Sequence, residues 1–275
     1  MTGNDKVFYD AFGFLVIRQA LTQDEVLAIE RDFDAVMEAG PIPDDVLEFS
    51  TAADGTRIFK IGTQWFIGRV ENKIDKQPAF GALLEDERIT GAVETLLGPG
   101  WYRTGNVANR YAGDTAWHPD LGWDPHFPKG KSDPAWPESG PMHYYEGLKV
   151  GVYLDPLTKD TGCLRVIPGS HRSPFHEELR SLHYQIAGRF EHLLTDDVPQ
   201  FGLDVPDVPC YAIETQPGDV VFFSHQVWHA TVGGRLGRRL ISWDYKARPS
   251  CEHEWACAEE FMLDETMDGV RVGRR

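Results

Sequence analysis

The spacing of hydrophobic residues changes near residue 100, from helical periodicity to short apolar runs. Close to the start, the apolar run 14–17 predicts a strand. Thr22 and Glu25 then have the spacing of a capping box, in which each side chain satisfies a backbone donor of the other residue. Apolar residues at helical spacing follow this box: Val26, Ile29, Phe33 and Val36. The pattern predicts a helix that ends at Gly40 and Pro41.

A second helical pattern runs from Pro78 to Leu97, and a Gly-Pro-Gly sequence ends it. Beyond this point the apolar runs are short and are separated by Pro, Gly, Asp and Asn, which predicts strands. The predicted strands are 101–111, 148–155, 163–168, 210–215, 219–224 and 237–246. Helices followed by a run of strands favour an α+β, mainly β fold, with a β-sandwich or jelly-roll core and the N-terminal helices packed on one side.

The segment 121–147 has a different character, because it is rich in proline and aromatic residues and has no periodicity. Irregular segments of this length inside a domain are usually functional. We therefore expect residues 121–147 to form a lid whose aromatic side chains line or cover a pocket. No repeat, low-complexity tract or linker divides the chain, so we expect residues 1–275 to form a single domain.

Composition and charge narrow the class of protein. The hydrophobic fraction of 41% excludes global disorder, and the net charge of −16 disfavours nucleic acid as a partner. The sequence contains no apolar run long enough for a membrane span, and its acidic start is unlike a secretory signal. The four cysteines include no Cys-x-x-Cys pair, which argues against a zinc ribbon. We expect a cytoplasmic monomer or homodimer that acts on a small molecule, with no membrane contact.

Candidate metal ligands lie in the sequences TAWHPDLGW and SHQVWHAT. His118 and Asp120 are two residues apart, so on an extended strand both side chains point to the same face. His225 and His229 follow a predicted strand, and either could supply a third ligand. Two histidines and one carboxylate form the facial triad of non-haem Fe(II) oxygenases, which leaves coordination positions open. Taken singly, each histidine is better explained by a structural role than by metal binding.

The sequence GRRLISWDY predicts a strand that carries an anion-binding site. Arg238 and Ser242 share one face of this strand, whereas Arg239 and Ile241 share the other. A buried guanidinium beside a hydroxyl group is suited to bidentate binding of a carboxylate. A surface arginine pair on an edge strand is the alternative explanation of the same residues.

The order of these motifs resembles that of the phytanoyl-CoA dioxygenase-like family of Fe(II)/2-oxoglutarate-dependent oxygenases. The likeness extends from about residue 8 to 246, and the middle segment is its most specific part. The segments that carry it are GFLVIRQALTQDEV, WHPD, LKVGVYLDPLTKDTGCLRVIPGSHRSP, PGDVVFFSHQVWHAT and GRRLISWDY. The resemblance implies a double-stranded β-helix core, Fe(II) as the metal, and 2-oxoglutarate and O2 as cosubstrates.

The resemblance also implies roles for particular residues. The implied metal ligands are His118, Asp120 and His229. His229 is preferred to His225 because it stands six positions after Phe223, which is the family spacing. The residues implied for 2-oxoglutarate are Arg238, Ser242 and Asn106.

The expected reaction is oxidation, most directly hydroxylation, of a C–H bond of a small organic molecule, with release of succinate and CO2. Halogenating relatives replace the ligand carboxylate by a small residue, and this chain keeps Asp120, which favours oxygenation. Two alternatives remain open at this point. One is a cupin-type metalloenzyme that does not use 2-oxoglutarate, and the other is a non-catalytic jelly-roll binding protein.

Overall fold

The computed structural model describes residues 1–39, 46, 48–61, 64–120, 146–176, 178–179 and 201–248. Its helices are α1 (Gly3–Phe12), α2 (Gln23–Ala39), α3 (Pro78–Leu84) and α4 (Glu87–Leu97), with short 3-10 turns at Ile74–Lys76 and Val205–Asp207. Its strands are β1 (Phe14–Ile17), β2 (Glu48–Thr51), β3 (Arg57–Ile61), β4 (Gln64–Glu71), β5 (Tyr102–Tyr111), β6 (Thr115–His118), β7 (Gly147–Tyr153), β8 (Leu164–Val166), β9 (Tyr211–Ile213), β10 (Val220–Ser224), β11 (His229–Thr231) and β12 (Arg238–Lys246).

The strands form two sheets in which the paired neighbours are antiparallel. The large sheet has eight strands in the order β1-β10-β7-β12-β5-β4-β3-β2, and the small sheet has the order β6-β11-β8-β9. Strands distant in sequence are neighbours in both sheets; β12, for example, lies between β5 and β7. This arrangement confirms the predicted α+β, mainly β fold with a jelly-roll core.

The helices cover the outer face of the large sheet. Ile29 and Phe33 from α2 and Phe80 from α3 are buried in one cluster with Trp243 of β12. The rings of Phe80 and Trp243 meet edge to face, with 5.2 Å between their centroids. Because side chains alternate along a strand, this packing leaves the opposite face of β12 turned toward the small sheet.

Most of the predicted elements are present, with ends that differ by at most two residues. The Thr22 capping box is confirmed, since the Thr22 amide donates to Glu25 Oε2 at 2.7 Å and the Glu25 amide donates to Thr22 Oγ1 at 3.3 Å. The single helix predicted from Pro78 to Leu97 is wrong. It is divided into α3 and α4 at Asp86, whose carboxylate caps α4 by accepting from the Arg88 amide at 2.8 Å.

Other elements were not among the predicted ones, namely α1 and the strands β2, β3, β4, β6 and β11. Strand β2 is exposed along its whole length, so it has no hydrophobic alternation to reveal it. The predicted lid lies outside the described residues except for Glu146 and Gly147, and Gly147 already belongs to β7.

Two of the cysteines lie in the described part of the chain. Cys163 is buried and Cys210 is half-buried, and both are free thiols.

Of the helices that the structure describes, none combines the length and the apolar character that a bilayer crossing requires.

Candidate active site

Three potential ligands meet between β6 and β11. His118 ends β6, Asp120 follows two residues later, and His229 begins β11 directly opposite His118. The two imidazole centroids are 4.3 Å apart, and Asp120 Oδ1 is 3.8 Å from His229 Nε2. The three candidate ligand atoms all lie within 4.8 Å of one another. A single ion placed among them could contact all three.

Backbone hydrogen bonds fix the tautomers of both histidines. His118 Nδ1 donates to the Ala116 carbonyl at 2.7 Å, and His229 Nδ1 donates to the Val227 carbonyl at 2.9 Å. A carbonyl only accepts, so each Nδ1 carries the proton and each Nε2 carries the lone pair. Burial lowers the pKa of both imidazoles, and for His229 burial together with neighbouring His118 lowers the pKa to about 3. Both rings are therefore in the neutral form that binds metal ions.

Asp120 remains ionised although it is enclosed. Burial alone would raise the pKa of its carboxyl group, but nearby positive charge, first of all that of Lys149, outweighs burial and holds the pKa below its usual range. Lys149 Nζ is 3.1 Å from Asp120 Oδ2. Burial would lower the pKa of Lys149, but Asp120 and Asp244 raise it above its usual range. Two neutral imidazoles and one carboxylate are a donor set that fits Fe(II).

His225 lies close by but is engaged elsewhere. Its Nε2 donates to Asp244 Oδ1 at 2.8 Å, and its Nδ1 accepts from Lys246 Nζ at 2.8 Å. Both ring nitrogens thus have protein partners. Within the described part of the chain, His229 and not His225 joins the cluster of potential ligands.

The residues predicted to bind 2-oxoglutarate border the same cavity, which has a volume of about 320 Å³. As predicted, Arg238 and Ser242 share the cavity face of β12, and both are buried. Arg239 points to the other side of the sheet, where it contacts Glu30 at 2.8 Å and Asp155 at 3.2 Å. The cavity therefore brings the candidate metal ligands and one arginine together.

The protein neighbours of Arg238 supply only part of the hydrogen bonds that its guanidinium group can make. Its side chain is 1% exposed, and Nε and Nη1 have no hydrogen-bond partner among the described residues. Nη2 makes only long hydrogen bonds, to Thr231 Oγ1 at 3.2 Å and to the Gly113 carbonyl at 3.4 Å. No described carboxylate lies within ion-pair distance of this guanidinium. Because a buried charge is costly unless it is paired, the site fits an anion such as the distal carboxylate of 2-oxoglutarate.

Gly162 provides the space that Arg238 occupies. It has φ of +86°, a conformation that favours glycine, and a Cβ atom added there would collide with Arg238 Nη1. A glycine is therefore required at this position of the TGCLRV segment so that Arg238 can pack into the candidate cosubstrate site.

The register of β5 bears on the prediction for Asn106. Asn106 pairs with Trp243, whose side chain faces the helices, whereas Val107 pairs with Ser242 and Asn109 pairs with Leu240. Asn106 borders the cavity, and its side-chain amide group has no hydrogen-bond partner among the described residues. The pairing favours Val107 and Tyr111 as the β5 side chains nearest Ser242 and Arg238, and Arg238 Cζ lies 4.9 Å from the centroid of the Tyr111 ring. Binding of 2-oxoglutarate by Asn106 stays a prediction.

Lys149 is the cavity residue that sequence reasoning missed. It lies in β7, in the segment GLKVGVY, whose other residues are all buried. A lysine inside such an apolar strand is itself a signal, because lysine is almost never enclosed without a partner. The identity of that partner, Asp120, depends on tertiary contacts.

Two antiparallel sheets that enclose two histidines and a carboxylate form the architecture of a jelly-roll metalloenzyme. The sequence profile described as Phytanoyl-CoA dioxygenase (PhyH) matches residues 9–235. The chain therefore belongs to this family of iron- and 2-oxoglutarate-dependent oxygenases. No curated protein matches the chain in sequence.

Solved structures of three proteins share the fold. AviO1 from Streptomyces viridochromogenes Tue57 is 19% identical, with a TM-score of 0.58 over 90% of this chain and 97% of its own. EctD from S. alaskensis with 2-oxoglutarate and 5-hydroxyectoine is 19% identical, with a TM-score of 0.58 over 90% of this chain and 76% of its own. HygX from Streptomyces hygroscopicus with nickel and 2-oxoglutarate is 16% identical, with a TM-score of 0.58 over 90% of this chain and 87% of its own. At these identities the likeness shows the fold alone.

Proposed function

We propose that this protein is an Fe(II)- and 2-oxoglutarate-dependent dioxygenase that hydroxylates a C–H bond of a small organic molecule. One observation carries the proposal: the convergent His118, Asp120 and His229 share a cavity with the incompletely paired, buried Arg238. One oxygen atom of O2 would enter succinate and the other the hydroxylated product, and the lost carboxyl group of 2-oxoglutarate would leave as CO2.

The chain would hold the metal and its cosubstrate through separate groups. His118 and His229 would bind the ion through Nε2, and Asp120 would bind it through a carboxylate oxygen. Arg238 would pair with the distal carboxylate of 2-oxoglutarate. Ser242, which lies four residues further along β12 on the same face, would add a hydroxyl group. Bound ferrous iron would supply the redox chemistry of O2 activation and C–H oxidation, while the protein supplies orientation and a dry cavity.

The neighbourhood of the three ligands supports this assignment. Phe223 packs against His229 with 5.0 Å between ring centroids, which holds the imidazole and keeps water from it. The orientation of Arg238 supports use of 2-oxoglutarate over a cupin-type reaction without it, because a cupin-type site provides no reason for a buried guanidinium that lacks a carboxylate.

Retention of Asp120 supports oxygenation over halogenation. Asp120 would supply the carboxylate that, together with His118 and His229, would hold the iron. A halide would need a further position, which Asp120 occupies in this proposal. The 5-hydroxyectoine that accompanies 2-oxoglutarate in the EctD structure also supports a hydroxylated small molecule as the class of product.

The decisive experiment measures cosubstrate turnover against a library of small organic molecules. Purified protein is supplied with Fe(II), 2-oxoglutarate and 18O2, and succinate and product are quantified by mass spectrometry. The proposal expects succinate and a singly hydroxylated product in equal amounts, both labelled with 18O, and no reaction after treatment with a metal chelator. Product formed without 2-oxoglutarate would support the cupin-type alternative, and failure to bind divalent metal would support a binding protein.

A further inference from the structure

The carboxylate of Asp120 has two different neighbours. Oδ1 faces His229 Nε2 at 3.8 Å, on the side where the candidate ligands converge. Oδ2 faces Lys149 Nζ at 3.1 Å, and this ion pair is mostly enclosed, with 21% of the lysine side chain and 19% of the aspartate side chain exposed. The two oxygens are therefore not equivalent, since one is directed to the metal position and the other is occupied by an ammonium group.

Lys149 has further charged and polar neighbours on the side away from Asp120. Asp244 Oδ1 is 4.0 Å from Lys149 Nζ, and the same oxygen accepts a hydrogen bond from His225 Nε2 at 2.8 Å. His225 in turn accepts from Lys246 Nζ at 2.8 Å. Strand pairing places Lys149 directly opposite Asp244, so the backbone fixes this row of side chains. The row explains why His225 is buried close to the cluster without joining it.

We propose that Lys149 is a positioning residue that restricts Asp120 to binding the metal through one oxygen. This inference rests on the proposed function, since it assumes that Asp120 is a ligand. A carboxylate whose second oxygen pairs with an ammonium group cannot turn to bind an ion through both oxygens without breaking this mostly enclosed ion pair. Single-oxygen binding keeps a coordination position available for 2-oxoglutarate or O2. Asp244, His225 and Lys246 keep Lys149 in place.

The test compares wild-type protein with Lys149→Met, which keeps the length of the side chain and removes its charge, and with Lys149→Arg, which restores a cation. Arg69→Met is the matched control, because Arg69 borders the same cavity but pairs with Glu71 and Asn109 instead of Asp120. Mn(II), which accepts nitrogen and oxygen ligands as Fe(II) does, is the probe. Crystal structures of the Mn(II) complexes show the number of bound oxygens, and anaerobic calorimetry measures 2-oxoglutarate affinity.

In wild-type protein we expect Asp120 Oδ1 at about 2.0–2.2 Å from the ion, the usual metal–carboxylate range, with Oδ2 on Lys149. In Lys149→Met we expect both oxygens on the ion or a turned carboxylate, and 2-oxoglutarate affinity weaker by about 10-fold, the lower end of the effect of losing an outer-shell partner. Lys149→Arg should recover most of this affinity, and Arg69→Met should match wild type.

Several results would overturn the inference. One is a wild-type complex in which both Asp120 oxygens bind Mn(II), and this result requires no variant to fold. Another is a Lys149→Met complex with unchanged single-oxygen binding and unchanged 2-oxoglutarate affinity. A third is an equal loss of affinity in Lys149→Met and Arg69→Met, which would indicate a general effect of cavity charge. Absence of Mn(II) from His118, Asp120 and His229 in wild-type protein would instead refute the proposed function itself.

Discussion

Replacement of Arg238 by methionine should separate cosubstrate binding from fold stability. The variant removes a guanidinium that is 1% exposed and has two donor nitrogens without partners among the described residues. Methionine replaces the aliphatic part of the arginine side chain, is shorter by the guanidinium group, and has no charge to bury. The cost of enclosing a charge without a carboxylate partner disappears, whereas the two long hydrogen bonds to Thr231 and Gly113 and the contact of the guanidinium with the Tyr111 ring are a modest loss. We therefore expect the cofactor-free variant to unfold at or above the wild-type temperature.

Binding of 2-oxoglutarate should respond in the opposite direction. A hydrogen bond to a charged group contributes about 1.5–3 kcal/mol, so the dissociation constant of the metal-loaded variant should rise by about 10- to 150-fold. At a concentration about 100 times the wild-type dissociation constant, the ligand stabilises wild-type protein by about 2.7 kcal/mol. At the same concentration the stabilisation of Arg238→Met should fall to about 0.3–1.4 kcal/mol.

Thermal unfolding and calorimetry under anaerobic conditions measure both quantities, and Arg239→Met is the matched control. Arg239 faces the helices and pairs with Glu30 and Asp155, so its loss should lower stability and leave the response to 2-oxoglutarate unchanged. If Arg239→Met loses the response and Arg238→Met keeps it, the assignment of strand faces to ligand binding is refuted. If Arg238→Met keeps the full wild-type response of about 2.7 kcal/mol, Arg238 does not bind the cosubstrate.

Three further predictions concern the metal, the packing around Arg238 and the reaction. His229→Ala should abolish stoichiometric Fe(II) binding in a metal analysis, whereas His225→Gln should retain the ion; the reverse result would exchange their roles. Gly162→Ala should lower both the melting temperature and 2-oxoglutarate affinity, because a φ of +86° disfavours alanine and the nearby Arg238 leaves no room for a methyl group. An unchanged melting temperature and an unchanged affinity would contradict this packing. With chloride present, the active enzyme should form oxygenated and not chlorinated product as long as Asp120 is intact, and mass spectrometry of the product decides.

Local sequence patterns were sufficient to predict much of the fold. The capping box of Thr22 and Glu25 and the alternation along β12 depend on neighbours in the chain, so they can be read without tertiary information. Alternation also predicted correctly that Arg238 and Arg239 face opposite sides. Strand β2 could not be predicted, because it is exposed and is specified by pairing with β3 and not by burial.

The candidate site, like the fold, was predicted in part from local sequence and depends in part on long-range contacts. The spacing of His118 and Asp120 predicted that they meet, but β6 ends at His118, and a hydrogen bond from the Asp120 backbone amide to the His225 carbonyl at 2.8 Å helps to place Asp120. The residues themselves left His225 and His229 as equal candidates. Their different environments arise from long-range pairing. His229 lies opposite His118 because β11 pairs with β6, whereas His225 is held by Asp244 of β12.

Lys149 shows the limit of the sequence most clearly. The apolar run of β7 identifies a lysine in an apolar environment, but it does not identify the charge that compensates the lysine. Asp120 and Asp244 reach Lys149 from distant parts of the chain through the order of strands in the sheets. Local periodicity determined which face each side chain occupies, and only the tertiary structure decided which faces meet, because that depends on contacts between residues far apart in sequence.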